Sequence, residues 1–443
     1  MVTAVRTVRT VRRDVMGLGL GVLSRIAGSR VLEATGLRTP LQQLVYAATK
    51  SGFRTAGAIN RTFKPTRKLT EPVRPGPADD TGLFDVTPTD EQRLLVEAVA
   101  EFAAEQLRPA AAEADTNHQP PDDLLVRSGE LGIAMLGVPE ELDGLGAQRS
   151  VVTNALVAEA LAHGDLGLAV AVLAPSAVSA ALTLWGDAQQ QADYLPAFVG
   201  ENTPVAALAL QEPRPLFDPF EPAMTATRTP SGFRLDGVKS LVPRVAAAEL
   251  FVVSAKLDGK PRLFVVESST SGLTVEPEPA MGLRAAATGR LHLDAVDLPA
   301  RAMLGSPEDF IDAVRLCRLG WAALAAGAGK AVLDYVIPYV NEREAFGEPI
   351  SHRQAVAFSV ADIAIELEGL RLVTLRAASR AEQGKPYARE VALARKLAAD
   401  KGMWIGSTGV QLLGGHGFVT EHPVERWYRD LRAVAVMEGI VLL

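Results

Sequence analysis

Cysteine is almost absent from this sequence. A single thiol, Cys317, in 443 residues rules out an intramolecular disulfide and fits a reducing compartment. Its apolar helical context gives a buried structural thiol. Histidine is scarce too, six in all, and none stands at metal-ligand spacing. His416 and His422 flank a Gly-rich turn without cysteine or carboxylate partners in register, so no metal site is expected. Basic excess is lacking: a net charge of −7 argues against a general nucleic-acid binder. One uncharged run, Gly167 to Gly186, is long enough to cross a bilayer. Pro175, three Ser/Thr and many alanines make it read instead as two buried core helices meeting near Pro175.

What is present is an ordinary soluble composition, 48% apolar and 22% charged, in a length that suggests two or three domains. Residues 1–74 stand apart, with fourteen Lys/Arg against Asp14, Glu33 and Glu71. Val5, Val8, Val11 and Val15 recur at helical spacing between arginines. Such a basic amphipathic helix suits an anionic membrane surface, another part of the protein or a partner. A linker follows, and 1–84 is set apart as extension and linker. Residues 85–205 read as helices, opened by a capping box at Thr89 and Gln92. Residues 206–308 switch to short alternating strands, with a hairpin at Asp258-Gly259, and give an antiparallel β domain. Residues 309–443 return to four long helices with short loops, a four-helix bundle. The fold class is α+β in three parts: a helical domain, an antiparallel β domain and a helical bundle.

The last forty residues carry the chemistry. Gln411 to Gly415 reads Gln-Leu-Leu-Gly-Gly, where paired glycines let backbone approach a ligand closely. Pro423-Val-Glu-Arg-Trp-Tyr-Arg-Asp430 follows. Then Glu438 stands as the one carboxylate in an apolar segment, flanked by Met437 and Gly439. A carboxylate so placed suits proton abstraction if buried. The residues alone leave an exposed helix start equally open. Upstream, Arg343, Phe346 and Gln354 stand in and just after a loop between two helices. Arg343 offers a donor fork suited to pyrophosphate, though a plain charged loop reads as well. Arg318, within an apolar helix, needs a buried partner or must snorkel.

QLLGGHGF, HPVERWYRD and MEG resemble the C-terminal signature of the acyl-CoA dehydrogenase family, and NEREAFGEPI resembles its Arg-x-x-Phe-Gly-x-x-Ile loop. The resemblance runs over roughly residues 85–443. It implies the helices–strands–helices order, FAD as cofactor and Glu438 as catalytic base. It implies FAD contacts from Arg343, Phe346 and Gln354, largely to the flavin of a neighbouring subunit, and from Gln411, Gly414 and Gly415 on the adenosine side. Arg318 falls where the family has an Arg beside the acyl-CoA entrance, and Gly439 is carried over as a substrate contact.

The middle domain departs from the family pattern. Where the family has Thr-Glu-Pro-Gly-x-Gly-Ser-Asp, this chain reads Gln211-Glu-Pro-Arg-Pro-Leu-Phe-Asp218. Gln211 is carried over as a cofactor contact, while the glycines and serine are gone. Trp-Ile-Thr becomes Leu241-Val-Pro243, replacing a hydroxyl donor by a ring with none. Ile440 stands where Thr follows the Glu-Gly pair.

The resemblance implies oxidation of an acyl-CoA thioester to a trans-2-enoyl-CoA. Glu438 acts as base, electrons pass to an electron-transfer flavoprotein, and the enzyme is a homo- or hetero-oligomer, dimer or tetramer, in the cytoplasm. A peripheral membrane contact through residues 1–74 is a further expectation. The altered middle domain keeps a second expectation open: a catalytically weak structural subunit of a mixed oligomer, or an acyl-CoA-binding protein.

Overall fold

The computed structural model describes residues 71–74, 87–146, 150–200 and 203–443, so the basic pattern before residue 71 lies outside the described residues. Contacts divide the chain into Met1–Thr62 and Phe63–Leu443, and every described element belongs to the second unit. The start of the linker is pinned: Val73 N donates to Gln191 Oε1 at 2.9 Å and the Arg74 guanidinium to the carbonyls of Leu184 and Gly186 at 2.9 and 2.8 Å.

The first helices are α1 (Asp90–Phe102), α2 (Arg108–Asn117), α3 (Asp122–Glu130), α4 (Val151–Gly164), α5 (Leu166–Trp185) and α6 (Ala188–Tyr194). The capping box forms as the residues require. Gln92 N donates to Thr89 Oγ1 at 3.2 Å, and Thr89 N to Gln92 Oε1 at 3.0 Å. The apolar run around Pro175 is one helix, α5, and not two. Proline costs a helix interior about 3 kcal/mol, but α5 is 94% buried over its most apolar window, and packing on every side outweighs that local penalty. This helix and the long helix of the bundle are apolar enough to span a bilayer, yet 94% and 83% of those windows lie inside the protein.

The strands are β1 (Ala206–Ala209), β2 (Thr225–Thr229), β3 (Gly232–Val242), β4 (Leu250–Leu257), β5 (Lys260–Glu267), β6 (Leu273–Pro277), β7 (Gly289–Pro299) and β8 (Met303–Leu304). They run in the order β6-β7-β3-β2-β4-β5-β8, with β1 also paired to β4. The sheet is mixed, which corrects the antiparallel expectation: β1 and β2 both pair with β4 in parallel. Alanine-rich β1 carries little strand signal of its own. It is held because both its faces are buried. Ala206 and Leu208 join the helical core, and Ala207 and Ala209 join a second core on the far face of the sheet. Leu250 and Val252 against Phe251 and Val253 on β4 divide the same way.

The C-terminal part holds α7 (Pro307–Glu342), the two-residue strands β9 (Glu344–Ala345) and β10 (Glu348–Pro349), α8 (Gln354–Glu382), α9 (Ala388–Leu413) and α10 (Val424–Val434). Ser306 caps α7 through Asp309 N at 3.2 Å, with Pro307 at the first helical position. The last helix stops at Val434. Residues 440–443 run on as a buried tail, each under 5% exposed, and Ile440 N donates to Leu208 O in β1 at 3.1 Å.

Candidate active site

The tail brings Glu438 to a seam where β1, α7 and α9 meet. Glu438 is buried, 6% exposed, so the exposed helix start is not what forms. Arg318 of α7 grips it with both arms of the fork: Nη2 to Oε1 at 2.8 Å, and Nε to Oε1 and Oε2 at 3.1 and 3.0 Å. Arg395 of α9 adds a longer contact, Nη2 to Oε1 at 3.4 Å. The Phe220 ring lies 5.0 Å from the Arg318 guanidinium, across its face.

The backbone of this turn is fixed as well. Gln211 accepts from Glu438 N through Oε1 at 3.0 Å. Trp321, one turn along α7 from Arg318, donates Nε1 to Gly439 O at 2.9 Å. Gly439 sits at φ +78°, and a Cβ there would meet the Leu210 side chain at 2.9 Å, so only glycine fits. Cys317 is buried beside this cluster, as its apolar context implies. Burial first, and the Glu438 carboxylate second, push its thiol well up, away from thiolate chemistry.

Arg318 therefore lies against Glu438, and this is the buried partner its apolar helix demanded. Gln211 and Gly439 complete the same cluster. The other expected residues gather elsewhere. Arg343 closes α7 and is exposed. Phe346 is 95% exposed at φ +58°, and Gln354 starts α8. Gln411, Gly414 and Gly415 end α9, where open space surrounds both glycines. Tyr339 near the end of α7 joins these groups, its hydroxyl at Leu413 O (3.3 Å) and His416 Nδ1 (2.8 Å). His416 and His422 stack, ring centroids 5.3 Å apart. Arg318 and Arg343 are twenty-five residues apart on α7, about 37 Å at 1.5 Å per residue.

The altered middle segments are firmly built. Glu278 accepts from Ser240 Oγ at 2.8 Å, Leu241 N at 2.8 Å and Arg290 Nε at 2.9 Å. Glu212 accepts the backbone N–H groups of Ala223 and Met224 and pairs with Lys239 at 2.9 Å. Lys239 is fully buried and also reaches Ser254 Oγ at 2.9 Å. Burial pulls its pKa down to about 8, against the pull of Glu212. Arg395, Phe220, Trp321 and Lys239 were missed in the sequence. Arg395 is one basic residue among several on an amphipathic helix, and nothing local marks it.

Comparison with known proteins agrees with this architecture. The acyl-CoA dehydrogenase N-terminal, middle and C-terminal domain models match residues 89–202, 207–296 and 310–440. The chain belongs to the acyl-CoA dehydrogenase family. The mouse (Mus musculus) mitochondrial short-chain specific acyl-CoA dehydrogenase is 32% identical, over 78% of this chain and 86% of that protein. Butyryl-CoA dehydrogenase from Megasphaera elsdenii is 30% identical with a TM-score of 0.74, over 80% of this chain and 96% of that one. A glutaryl-CoA dehydrogenase from Mycobacterium smegmatis, solved with FADH2, is 25% identical with a TM-score of 0.71, over 80% and 92%.

The chain is an oxidoreductase of this class, and the class works with FAD. The donor set here suits the two halves of that cofactor unequally. Exposed Arg343, Gln354 and Gln411 beside the open Gly414-Gly415 turn suit a diphosphate and adenosine. On the ring side, Leu241 to Pro243 offer no side-chain donor. The Gln211 amide nitrogen has no partner among the described residues and supplies one next to Glu438.

Proposed function

We propose that this protein oxidises an acyl-CoA thioester at its α,β bond, with Glu438 as general base. The buried carboxylate at the seam of β1, α7 and α9 supports this most directly. Its two oxygens are not equivalent. Oε1 takes contacts from both arginines, whereas Oε2 takes one, from Arg318 Nε. Oε2 keeps lone-pair capacity and is the oxygen to which the α-proton passes. The C–H electron pair moves into the thioester carbonyl as the proton leaves. FAD, when bound, supplies the acceptor for the β-hydride, leaving a trans-2-enoyl product. Burial keeps water from the developing carbanion, and Phe220 shields the arginine side of the seam.

Twenty-five residues of α7 separate Arg318 from Arg343, so one chain's exposed diphosphate set stands far from its own base. We assign that set to the cofactor of a second copy, which makes the working unit an oligomer. Electron transfer to an electron-transfer flavoprotein, a cytoplasmic location and a peripheral membrane contact through residues 1–74 belong to the same reading. The last rests on the basic amphipathic pattern alone, and flotation with anionic vesicles, with and without residues 1–74, tests it.

The rewritten Gln211–Asp218 and Leu241–Pro243 segments favour one rival, a structural subunit that lends Arg343 and the Gln411 turn to a partner's FAD. Purified protein reconstituted with FAD and titrated anaerobically with acyl-CoAs of several lengths decides between them. Bleaching of flavin absorbance near 450 nm, lost in Glu438→Gln, supports the dehydrogenase. Failure to hold flavin at all supports the structural subunit.

A further inference from the structure

Arg395 lies at the end of α10 with an unusual concentration of contacts. The last carbonyls of a helix have no partner within it. Here no glycine closes α10, and the cap Ala435 stays in right-handed backbone. Arg395, reaching across from α9, takes up those carbonyls instead. Its Nη1 donates to Val434 O, and its Nη2 to Ala435 O at 3.3 Å and Met437 O at 2.8 Å. The same Nη2 reaches Glu438 Oε1 at 3.4 Å. Its side chain is only 12% exposed, and burial, opposed by Glu438, lowers its pKa.

We infer that Arg395 is the positioning residue for the base: it caps α10, sets the course of Ala435 to Met437, and draws Oε1 aside so that Oε2 alone faces the α-proton. The inference rests on Glu438 being the base. Arg318 cannot do this by itself, because its fork reaches both oxygens and touches none of the backbone between Val434 and Met437. Gln211 and Trp321 fix the backbone at Glu438 N and Gly439 O, downstream of the bend. Arg395 fixes it upstream. Between them the carboxylate has one course into the seam. A single ammonium carries its donors on one atom and cannot span these carbonyls and the carboxylate as a planar fork does.

The test uses full-length, FAD-loaded protein carrying Arg395→Met or Arg395→Lys. The first readout needs no turnover: hydrogen–deuterium exchange of the backbone amides from Val436 to Val441. Exchange there rises at least about tenfold in both variants, with β4 and β5 unchanged, as local release of a capped segment requires. The second readout is steady-state oxidation of the best acyl-CoA. kcat per bound flavin falls about 10- to 100-fold, as a misplaced reacting group gives, while KM stays within about threefold. Added guanidinium ion at low millimolar concentration restores part of the rate to Arg395→Met. Unchanged exchange in the segment overturns the inference. So does wild-type kcat per bound flavin in either variant, or a loss that guanidinium does not restore. If the wild type itself oxidises no acyl-CoA, the proposed function fails, and the exchange data still decide what Arg395 holds.

Discussion

Glu438 is a single acid whose surroundings suit it to the proposed role. Two guanidinium groups hold it in the seam, and removing one partner of a buried pair costs about 3–5 kcal/mol because a charge is left without its counterpart. Arg318→Ala therefore lowers the melting temperature as well as activity, while Glu438→Gln keeps the side chain's shape and, on the proposed mechanism, removes the proton acceptor. Gly439 has a stricter requirement. A methyl group at φ +78°, 2.9 Å from Leu210, forces the turn to move. Gly439→Ala is expected to cost about 1–3 kcal/mol and to break the Trp321–Gly439 hydrogen bond, which thermal unfolding and Trp321 fluorescence both read. Unaltered values for both would show that the turn accommodates a side chain without strain. At this scale the sequence was informative only where residues form motifs. Glu438, Gly439, Gln411 and Arg343 stood out by their neighbours in the chain. Arg395 and Phe220 did not, because their partners are 43 and 98 positions away and no local pattern encodes such a contact.

Among the elements, β1, β3 and β4 converge on one buried pair. Lys239 on β3 bonds Glu212 after β1 and Ser254 on β4. Replacing the lysine leaves Glu212, 4% exposed, with its two backbone donors and only the longer contact to the more exposed Arg214, 3.7 Å away. Lys239→Met is expected to cost about 3–5 kcal/mol, and pairing it with Glu212→Gln should recover much of that loss in urea denaturation. The pH dependence has a definite sign. The folded pKa, about 8, lies below the ordinary lysine value near 10.4. Between the two the unfolded chain binds the extra proton, so this group's contribution to stability rises with pH across that window and is lost as pH falls through 8. Lys239→Met should flatten the stability profile between pH 8 and 10. A profile identical to wild type contradicts the burial of a charged lysine. β3 and β7 were legible because alternation marks one face against a core, and β4 and β5, buried on both faces, were legible as runs of Val, Leu and Phe between turns. β1 was not, being short, alanine-rich and buried on both faces. Pro175 misled for the opposite reason: its local effect is real, but a helix packed on all sides absorbs it.

For the whole molecule, the distance along α7 is decisive. Arg318, which holds Glu438, and Arg343 of the proposed diphosphate set stand about 37 Å apart along α7, so a complete site on this account takes Glu438 from one copy and Arg343 from another. The two can be separated genetically. Glu438→Gln and Arg343→Ala proteins should each be nearly inactive. Co-expressed, they should regain about a quarter of wild-type activity, since random pairing in a two-fold assembly rebuilds one site in four. Activity no higher than the sum of the two alone would place both sets in one chain. The three-part order of helices, strands and helices was readable from periodicity and resemblance together. The parallel pairing within the sheet and the burial of the C-terminal tail were not, because both depend on contacts between segments far apart in the chain.

The central claim is that Glu438 removes the α-proton of a bound acyl thioester, and exchange of that proton with solvent measures this without any redox step. Acyl-CoA incubated with the protein in D2O should gain deuterium at the α-carbon, followed by NMR, in the wild type and not in Glu438→Gln. Equal exchange in both proteins, or none in the wild type while acyl-CoA is bound, would contradict the account.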